Sequence, residues 1–533
     1  MKIDWLLSNG HIETFEPGAS PADAIAVTAG RIVAIGSSAE LEASADAQTR
    51  RTDLSGRTVF PGFIDTHMHL EKVSHELTML RLEHDRTVAD VLEQVRTRAL
   101  DPVVGGASGI WIRCFADQGA WNEANLAEGR LPSRVELDVA APTTPVYLYR
   151  RPDHAVINSV GAGLMAHKLD GLPLESYNPE SGYLFGPAVR VLNDAIYTAS
   201  MDNAEYRQQI LAEACQKLLA KGITTIVDPG LAGAFDPAWA LYQEATRRGT
   251  LPQRIRLMNR FDWRQSFDSE LSRVENSMAL PGDGDDRLQA WALKLLLDGE
   301  FTNAWMRDGE DTMGESHPHY TLAELRRVLE VCAERNWPIC IHAMGGGAIR
   351  AVTDTVQQLA DDGIVFTPGQ VNIAHAFMID VLDMRECARL GIKLSVNPVL
   401  AYVYSDEMKA AWGPLAARTV PLATMASLGL RFAAGSDTHP TAPLAGASVA
   451  VLRTAWDGST LGSHEALTPR QALTMFTRDA GDYVNQDEIG TLAVGSVADF
   501  TIWAANPLEL PPTDWPTLTP NLVAISGESV WPA

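Results

Sequence analysis

The segment FPGFIDTHMHLEK (60–72) is a short apolar run that ends in two histidines one residue apart. In an extended chain residues i and i+2 project to the same side, so His67 and His69 can reach a single metal ion. Imidazole suits zinc and its first-row neighbours, and an H-x-H pair fills half of a tetrahedral shell. The remaining ligands must then come from elsewhere in the chain, and the fold has to bring them there.

Downstream the sequence alternates. Apolar strand candidates are ITTIVDPG (223–230), WALKLLLDG (291–299), PICIHAMGGG (338–347), VNIAHAF (371–377), IKLSVNP (392–398) and LRFAAGSD (430–437). Between them lie helical patterns such as DNAEYRQQILAEACQKLLAKG (202–222) and TLAELRRVLEVCAERNW (321–337). Strand, helix, strand at this rhythm predicts βαβ units and a parallel sheet. Several strands end in a polar residue: Asp228, Asp298, His342, His375 and Asp437. Active-site groups at many strand ends are the mark of a (β/α)8 TIM barrel, whereas a doubly wound sheet gathers them at one switch point. The fold class expected is therefore α/β, a (β/α)8 barrel.

Both ends of the chain read differently. Residues 3–60 are short strands joined by Asn-Gly and Ala-Gly turns, and IGTLAVGSVADFTIWAANPLEL (489–510) repeats that texture. The expectation is a composite β-sandwich from 1–58 and 488–533 around a barrel of 59–487. The gap between His69 and Asp228 exceeds one helix and a loop. It predicts an insertion after strand one, approximately 75–205, placed over the barrel mouth.

Composition narrows the function. Of 533 residues, 46% are hydrophobic and 21% charged, which excludes a disordered scaffold. A net charge of −24 excludes a nucleic-acid backbone binder and an anionic membrane surface as partner. The five cysteines are scattered without C-x-x-C spacing, so neither a disulfide framework nor a zinc ribbon is indicated. The first residues meet Asp4 and Gly10 too early for a secretory core, and no apolar run approaches the roughly 20 residues a membrane span needs. A cytoplasmic protein acting on a small-molecule substrate, with no nucleic acid or membrane partner, is expected. Self-association as a homo-oligomer is left open.

The ordered set PGFIDTHMH, the lysine of LKLLLDG, IHAMGG, NIAHAF and GSDTHP resembles the amidohydrolase superfamily. Within it the chain is similar to family 3, the branch of YtcJ-like proteins and N-substituted formamide deformylases. RRPDHAVINS (150–159) and the KxxxDG element at Lys294 favour that branch, and GTLAVGSVADFTIW (490–503) resembles its closing segment. The resemblance implies that His67 and His69 hold a first metal, and that Lys294 is carboxylated and bridges to a second held by His342 and His375. It implies that Asp437 binds the first metal and shuttles protons, and that Arg151, His154 and Asn158 reach the substrate. The cofactor implied is a divalent metal, Zn2+ first, one or two per chain; manganese or iron fits the same donors.

The residues support other readings beside these. A strand lysine is penalised by burial unless paired or neutralised, so Lys294 either becomes a carbamate or pairs with a carboxylate such as Asp298. Asp437 is a metal ligand or a helix cap. His154 and Asn158 lie four apart and would share a helical face, with Arg150 and Arg151 either beside them or pairing carboxylates. Trp111, Trp121 and Trp305 are pocket or core residues, and His439 is a candidate supporting group.

Two departures from the family pattern stand out. Relatives carry an acidic residue where HAMGGG places Gly346. HLEK (69–72) resembles the first-strand motif of cytosine-deaminase-like proteins, but their H-x-x-E carboxylate has no counterpart at Met344 or Gly345. The function expected is metal-dependent hydrolysis of an amide or other non-peptide C–N bond in a small molecule, by a metal-activated hydroxide with Asp437 moving the proton. The alternatives are a cytosine-deaminase-like aminohydrolase, an esterase or lactonase with the same site, and a non-enzymatic metal-binding protein.

Overall fold

Eight short parallel strands form the centre of the molecule, in the order in which they occur along the chain. They are β1 (Phe63–Asp65), β2 (Ile223–Asp228), β3 (Arg254–Arg260), β4 (Leu288–Leu296), β5 (Ile339–Ala343), β6 (Val371–His375), β7 (Lys393–Val396) and β8 (Phe432–Ala434). This computed structural model describes residues 2–82, 85–101, 110–115, 124, 126–150, 154–308, 310, 317–437, 440–455 and 457–532. Where β8 returns to β1, Thr66 N donates to Ala434 O at 3.2 Å and Asp437 N donates to His67 O at 2.7 Å. The backbones are so close that a Cβ on Gly435 would stand 2.3 Å from His67 N. Only glycine closes the ring there. The expected TIM barrel is what the chain forms.

The barrel is filled, not hollow. Ile64, Val227, Met258, Ala292, Cys340, Ala374 and Ala433, one from each of seven strands, make an inward layer sealed by Tyr483, Val484 and Ile489. Small residues at several of these positions leave room for large ones at the others, as packing to native density requires. Outside, the helices follow their caps. Thr321 and Glu324 form a capping box that starts Leu322–Arg335, and Asn336 ends it in the left-handed conformation.

One barrel strand was not among the sequence expectations. β3 reads RIRLMNR, whose arginines disguise a buried strand. Arg254 is 1% exposed because Asp499 and Asp286 hold it at 2.7 and 2.8 Å, and the buried Arg256 donates to Gln486 at 2.8 Å.

Two further sheets are built from the chain ends. One orders Arg31–Gly36, Ala24–Thr28, Trp5–Ser8 and Arg50–Asp53. The other orders His11–Ile12, Thr58–Pro61, Phe500–Trp503, Leu522–Ile525 and Glu528–Trp531, drawing on both ends. Trp5, Leu7, Val27, Val59, Phe500 and Ile502 pack between them. All of this belongs to one compact unit, Met1–Leu70 with Cys215–Ala533; Glu71–Ala214 is a second. The second unit has its own six-stranded sheet, from Tyr177–Asn178 at one edge to Leu80–Arg81 at the other. Its core includes Val91, Val95, Leu137, Val146 and Leu148. Among the described residues no helix is long and apolar enough to cross a membrane.

Candidate metal centre

His67 and His69 leave the end of β1, and Asp437 follows β8 across the closing seam. His67 Nε2 and His69 Nε2 lie 3.8 and 3.5 Å from Asp437 Oδ1. Their ligand atoms all fall within 4.8 Å of one another. Two more imidazoles adjoin the trio: the His67 and His375 rings are 4.8 Å apart, and those of His342 and His375 4.4 Å. The sequence-predicted histidines are thus brought together, with His342 and His375 beside the trio, not within it.

Hydrogen bonds fix which nitrogen keeps its lone pair in three of the four rings. His69 Nδ1 faces the Gly230 carbonyl at 3.0 Å, and an oxygen that can only accept makes this nitrogen the donor. Asn397 donates to Gly435 O at 2.9 Å, which turns its Oδ1 to His375 Nδ1, also at 2.9 Å. His342 Nε2 meets Gly299 O at 3.4 Å. The lone pairs therefore sit on His69 Nε2, His375 Nε2 and His342 Nδ1. Outer hydrogen bonds of this kind orient metal-binding imidazoles.

Electrostatics agree. Burial first, then the neighbouring Lys294 and imidazoles, hold His67, His342 and His375 well below the usual histidine range. These rings are neutral at pH 7 and free to donate electron pairs. Lys294 is 2% exposed and its amine is likewise pushed down by burial. Among the described residues it has no carboxylate partner; its amine meets Cys340 Sγ at 3.8 Å. Pairing of Lys294 with Asp298 is excluded, because Asp298 accepts instead from Met344 N, Gly345 N and Trp305 N at 3.0, 2.8 and 3.0 Å. A cluster of neutral nitrogen donors with one carboxylate fits a divalent cation.

The backbone is strained here. His375 and Asp437 carry φ of 77° and 60°, left-handed values that non-glycine residues seldom adopt. Ala374 packs in the inward layer, so regular alternation would aim His375 outwards. The left-handed turn breaks the alternation and brings its ring to His67 and His342.

Several sequence readings change. At Gly346, where relatives carry an acid, and at its two neighbours there is no room for a side chain: a Cβ on Gly345, Gly346 or Gly347 would strike Trp305 O, the Arg307 guanidinium or Met306 O at 2.2, 2.2 and 2.6 Å. The glycines serve close packing against that segment. His154 and Asn158 do not share a helical face: His154 begins the strand His154–Ile157, and Asn158 caps the helix Ser159–Leu164. Asn158 is fully buried. Its Oδ1 accepts from Val146 N and Gly161 N, both at 2.9 Å, and its Nδ2 donates to Ala141 O and Thr144 O at 3.2 and 2.9 Å. All its bonding capacity is spent on backbone, so it is no substrate ligand. His154 contacts Arg150 through Nδ1 at 3.2 Å and the Phe185 ring edge. Trp111 is a core residue of the second unit. Arg151, Trp121 and His439 lie outside the described residues.

Sequence reasoning missed Asp65 and Asn397. Asp65 accepts from His67 N at 3.1 Å and Ser436 N at 3.0 Å, tying the two ligand-bearing segments together, and burial pushes its carboxyl up to about 7. Its place two residues before His67 was the available signal. Asn397 gave none, since its value depends on the left-handed turn at His375.

Comparison with known proteins follows the same lines. The model of the Amidohydrolase family matches residues 50–531. The chain is 25% identical over 528 residues to N-substituted formamide deformylase of Arthrobacter pascens, covering 95% of this chain and 94% of that one. It is 25% identical over 566 residues to YtcJ of Bacillus subtilis (strain 168), covering 100% and 99%. An uncharacterized metal-dependent hydrolase from Pyrococcus furiosus superposes with a TM-score of 0.71 at 21% identity, over 95% of this chain and 100% of that one. The barrel, the histidines at its strand ends and the match along nearly the whole sequence lead to one assignment: the chain belongs to the amidohydrolase family and is a hydrolase of carbon–nitrogen bonds.

Proposed function

We propose that the protein hydrolyses an amide bond of a small molecule, an N-substituted formamide or related N-acyl amine. The observation that carries this reading is the convergence of one ligand atom each from His67, His69 and Asp437 within 4.8 Å at the seam of the barrel. His67, His69 and Asp437 would hold a divalent cation, zinc by its preference for nitrogen and carboxylate donors, and His342 and His375 a second. When bound, such a cation supplies Lewis-acid polarisation of a carbonyl and lowers the pKa of water to about 7.

The chain's own groups do the rest. Asp437 takes a proton from the attacking water and delivers it to the departing nitrogen. Its carboxylate is held by the strained backbone beside two imidazoles, so the transfer needs little rearrangement. Burial pushes the Lys294 amine down from the usual lysine range; on losing its proton it would add to carbon dioxide to form a nitrogen–carbon bond, and the carbamate left after a second proton departs would offer anionic oxygens to the cations. The aminohydrolase alternative needs an acid near His342. Asp298 lies 3.5 Å from His342 Nε2, but its oxygens are committed to three backbone N–H groups.

Metals per chain, measured by mass spectrometry without chelator, test the reading. Two metals in the wild type, with a clear loss in both His67→Ala and Lys294→Ala, are expected. Metal lost in His67→Ala but kept in Lys294→Ala removes the bridge. Metal-free wild type overturns the catalytic reading. A panel of matched amides and esters then separates amidase from esterase by leaving group.

A further inference from the structure

We infer that Arg260 anchors a carboxylate of the substrate, so that the amide cleaved belongs to a mono-anionic N-acyl compound of the N-acyl amino acid class. The inference rests on the hydrolase reading above and adds the substrate's charge to it.

The register gives the direction of the side chain. Arg260 is the last residue of β3 and stands opposite Lys294 on β4, which stands opposite Cys340 on β5. Registered neighbours in a parallel sheet face the same side, and Cys340 faces the interior. Arg260 therefore points inwards at the catalytic end of the barrel. Its charge is felt at Lys294 and His342, and it feels Asp437.

Arg260 is there without a partner. Among the described residues its guanidinium makes no hydrogen bond and no ion pair within 4 Å, and its Nε is buried and unsatisfied. The other two arginines of the strand are satisfied, Arg254 by Asp499 and Arg256 by Gln486. A nearby acid, Asp262, is already taken by Arg264 at 2.7 and 2.8 Å. A largely buried cation left unpaired is costly unless a ligand completes it.

Its surroundings share the property. Among the described residues the Tyr320 hydroxyl and His319 Nδ1 are also buried without a partner, and both groups lie within electrostatic reach of Arg260. His319 stacks on Trp263 with ring centroids 4.4 Å apart. A planar guanidinium offers the two parallel N–H donors that a carboxylate accepts. One guanidinium balances one negative charge. A dianionic phosphate would add repulsion from Asp437 and Glu300, which already act on Arg260, and from a chain of net charge −24.

The test compares N-formylleucine with N-isoamylformamide, the same skeleton lacking the carboxylate, on the metal-loaded enzyme. The wild type should favour N-formylleucine in kcat/KM by about 30-fold or more. Arg260→Gln should reduce that ratio below about 3-fold, with Arg260→Lys in between as the conservative rescue. Metal content and circular dichroism of both variants check folding. A calorimetric titration with 4-methylpentanoate reads the anchor without turnover, and its affinity should fall about tenfold or more in Arg260→Gln. Equal hydrolysis of both formamides by the wild type overturns the anchor and leaves the hydrolase reading intact. No hydrolysis of either, with Arg260-dependent binding of 4-methylpentanoate, keeps the anchor and overturns the formamide reading. Binding unchanged in both variants overturns the anchor outright.

Discussion

Two buried histidine clusters, one at the barrel's strand ends and one inside the Glu71–Ala214 unit, put the same residue type to opposite uses. In the second unit His75 is 3% exposed, and burial together with the Arg113 charge lowers its pKa to about 3. Its Nε2 accepts from Arg113, its Nδ1 donates to the Tyr206 oxygen at 2.8 Å, and Arg113 also donates to Asn193 at 2.9 Å. Both ring nitrogens are consumed, so the cluster is finished. At the barrel His375 spends its Nδ1 on Asn397 and His342 its Nε2 on Gly299, and among the described residues the other nitrogen of each makes no hydrogen bond. Burial and a depressed pKa do not tell a ligand from a strut; the unspent lone pair does.

Asp437→Asn tests the open cluster. It should lower kcat by about 10²- to 10⁴-fold, the range of a lost proton carrier, with the fold unchanged. Steady-state kinetics on the best formamide, with metal content as control, measures it. Activity close to wild type would place the proton transfer on another group.

The finished cluster is tested by pH. Below about pH 6.5 an unfolded His75 takes up a proton that the folded one refuses until about pH 3. The unfolded state then binds more protons, so this contribution to stability is whole above pH 6.5 and is lost as pH falls towards 3. The slope is at most about 1.4 kcal/mol per pH unit. Hydrogen exchange across residues 71–214 between pH 7 and pH 4.5 should show it, and His75→Gln should flatten the dependence. An unaltered slope in that variant would mean that other groups carry it.

Asn158 gives the smallest effect and the sharpest contrast with the sequence reading. Asn158→Ala should cost about 1–3 kcal/mol through the lost cap and stranded backbone groups, with KM unchanged. A raised KM at full stability would restore Asn158 to the substrate.

These residues show where the sequence was informative. β1 and six later barrel strands were legible because apolar runs ended in polar residues at a βαβ rhythm. β3 was not, because its arginines are paid for by Asp499, Asp286 and Gln486, which are remote in sequence. The histidines of the candidate metal centre were legible as an ordered set. Their aim was not, since it depends on left-handed backbone at His375 and Asp437 and on Asn397 across the sheet. Arg260 was hidden with its strand. Asn158 was misread because spacing of four suggests a helix as readily as a strand followed by a cap.

The closing seam at Gly435 has a consequence for biogenesis. Two donors of the trio are synthesised near the beginning of the chain and the third only when most of it exists. On the proposed reading, a nascent polypeptide would present an incomplete chelate until the eighth strand docks. Once it docks, every ion bound to the native form and not to the unfolded one draws the equilibrium towards the sealed ring. A cation held by the trio as proposed would then act as a latch on the last step of folding.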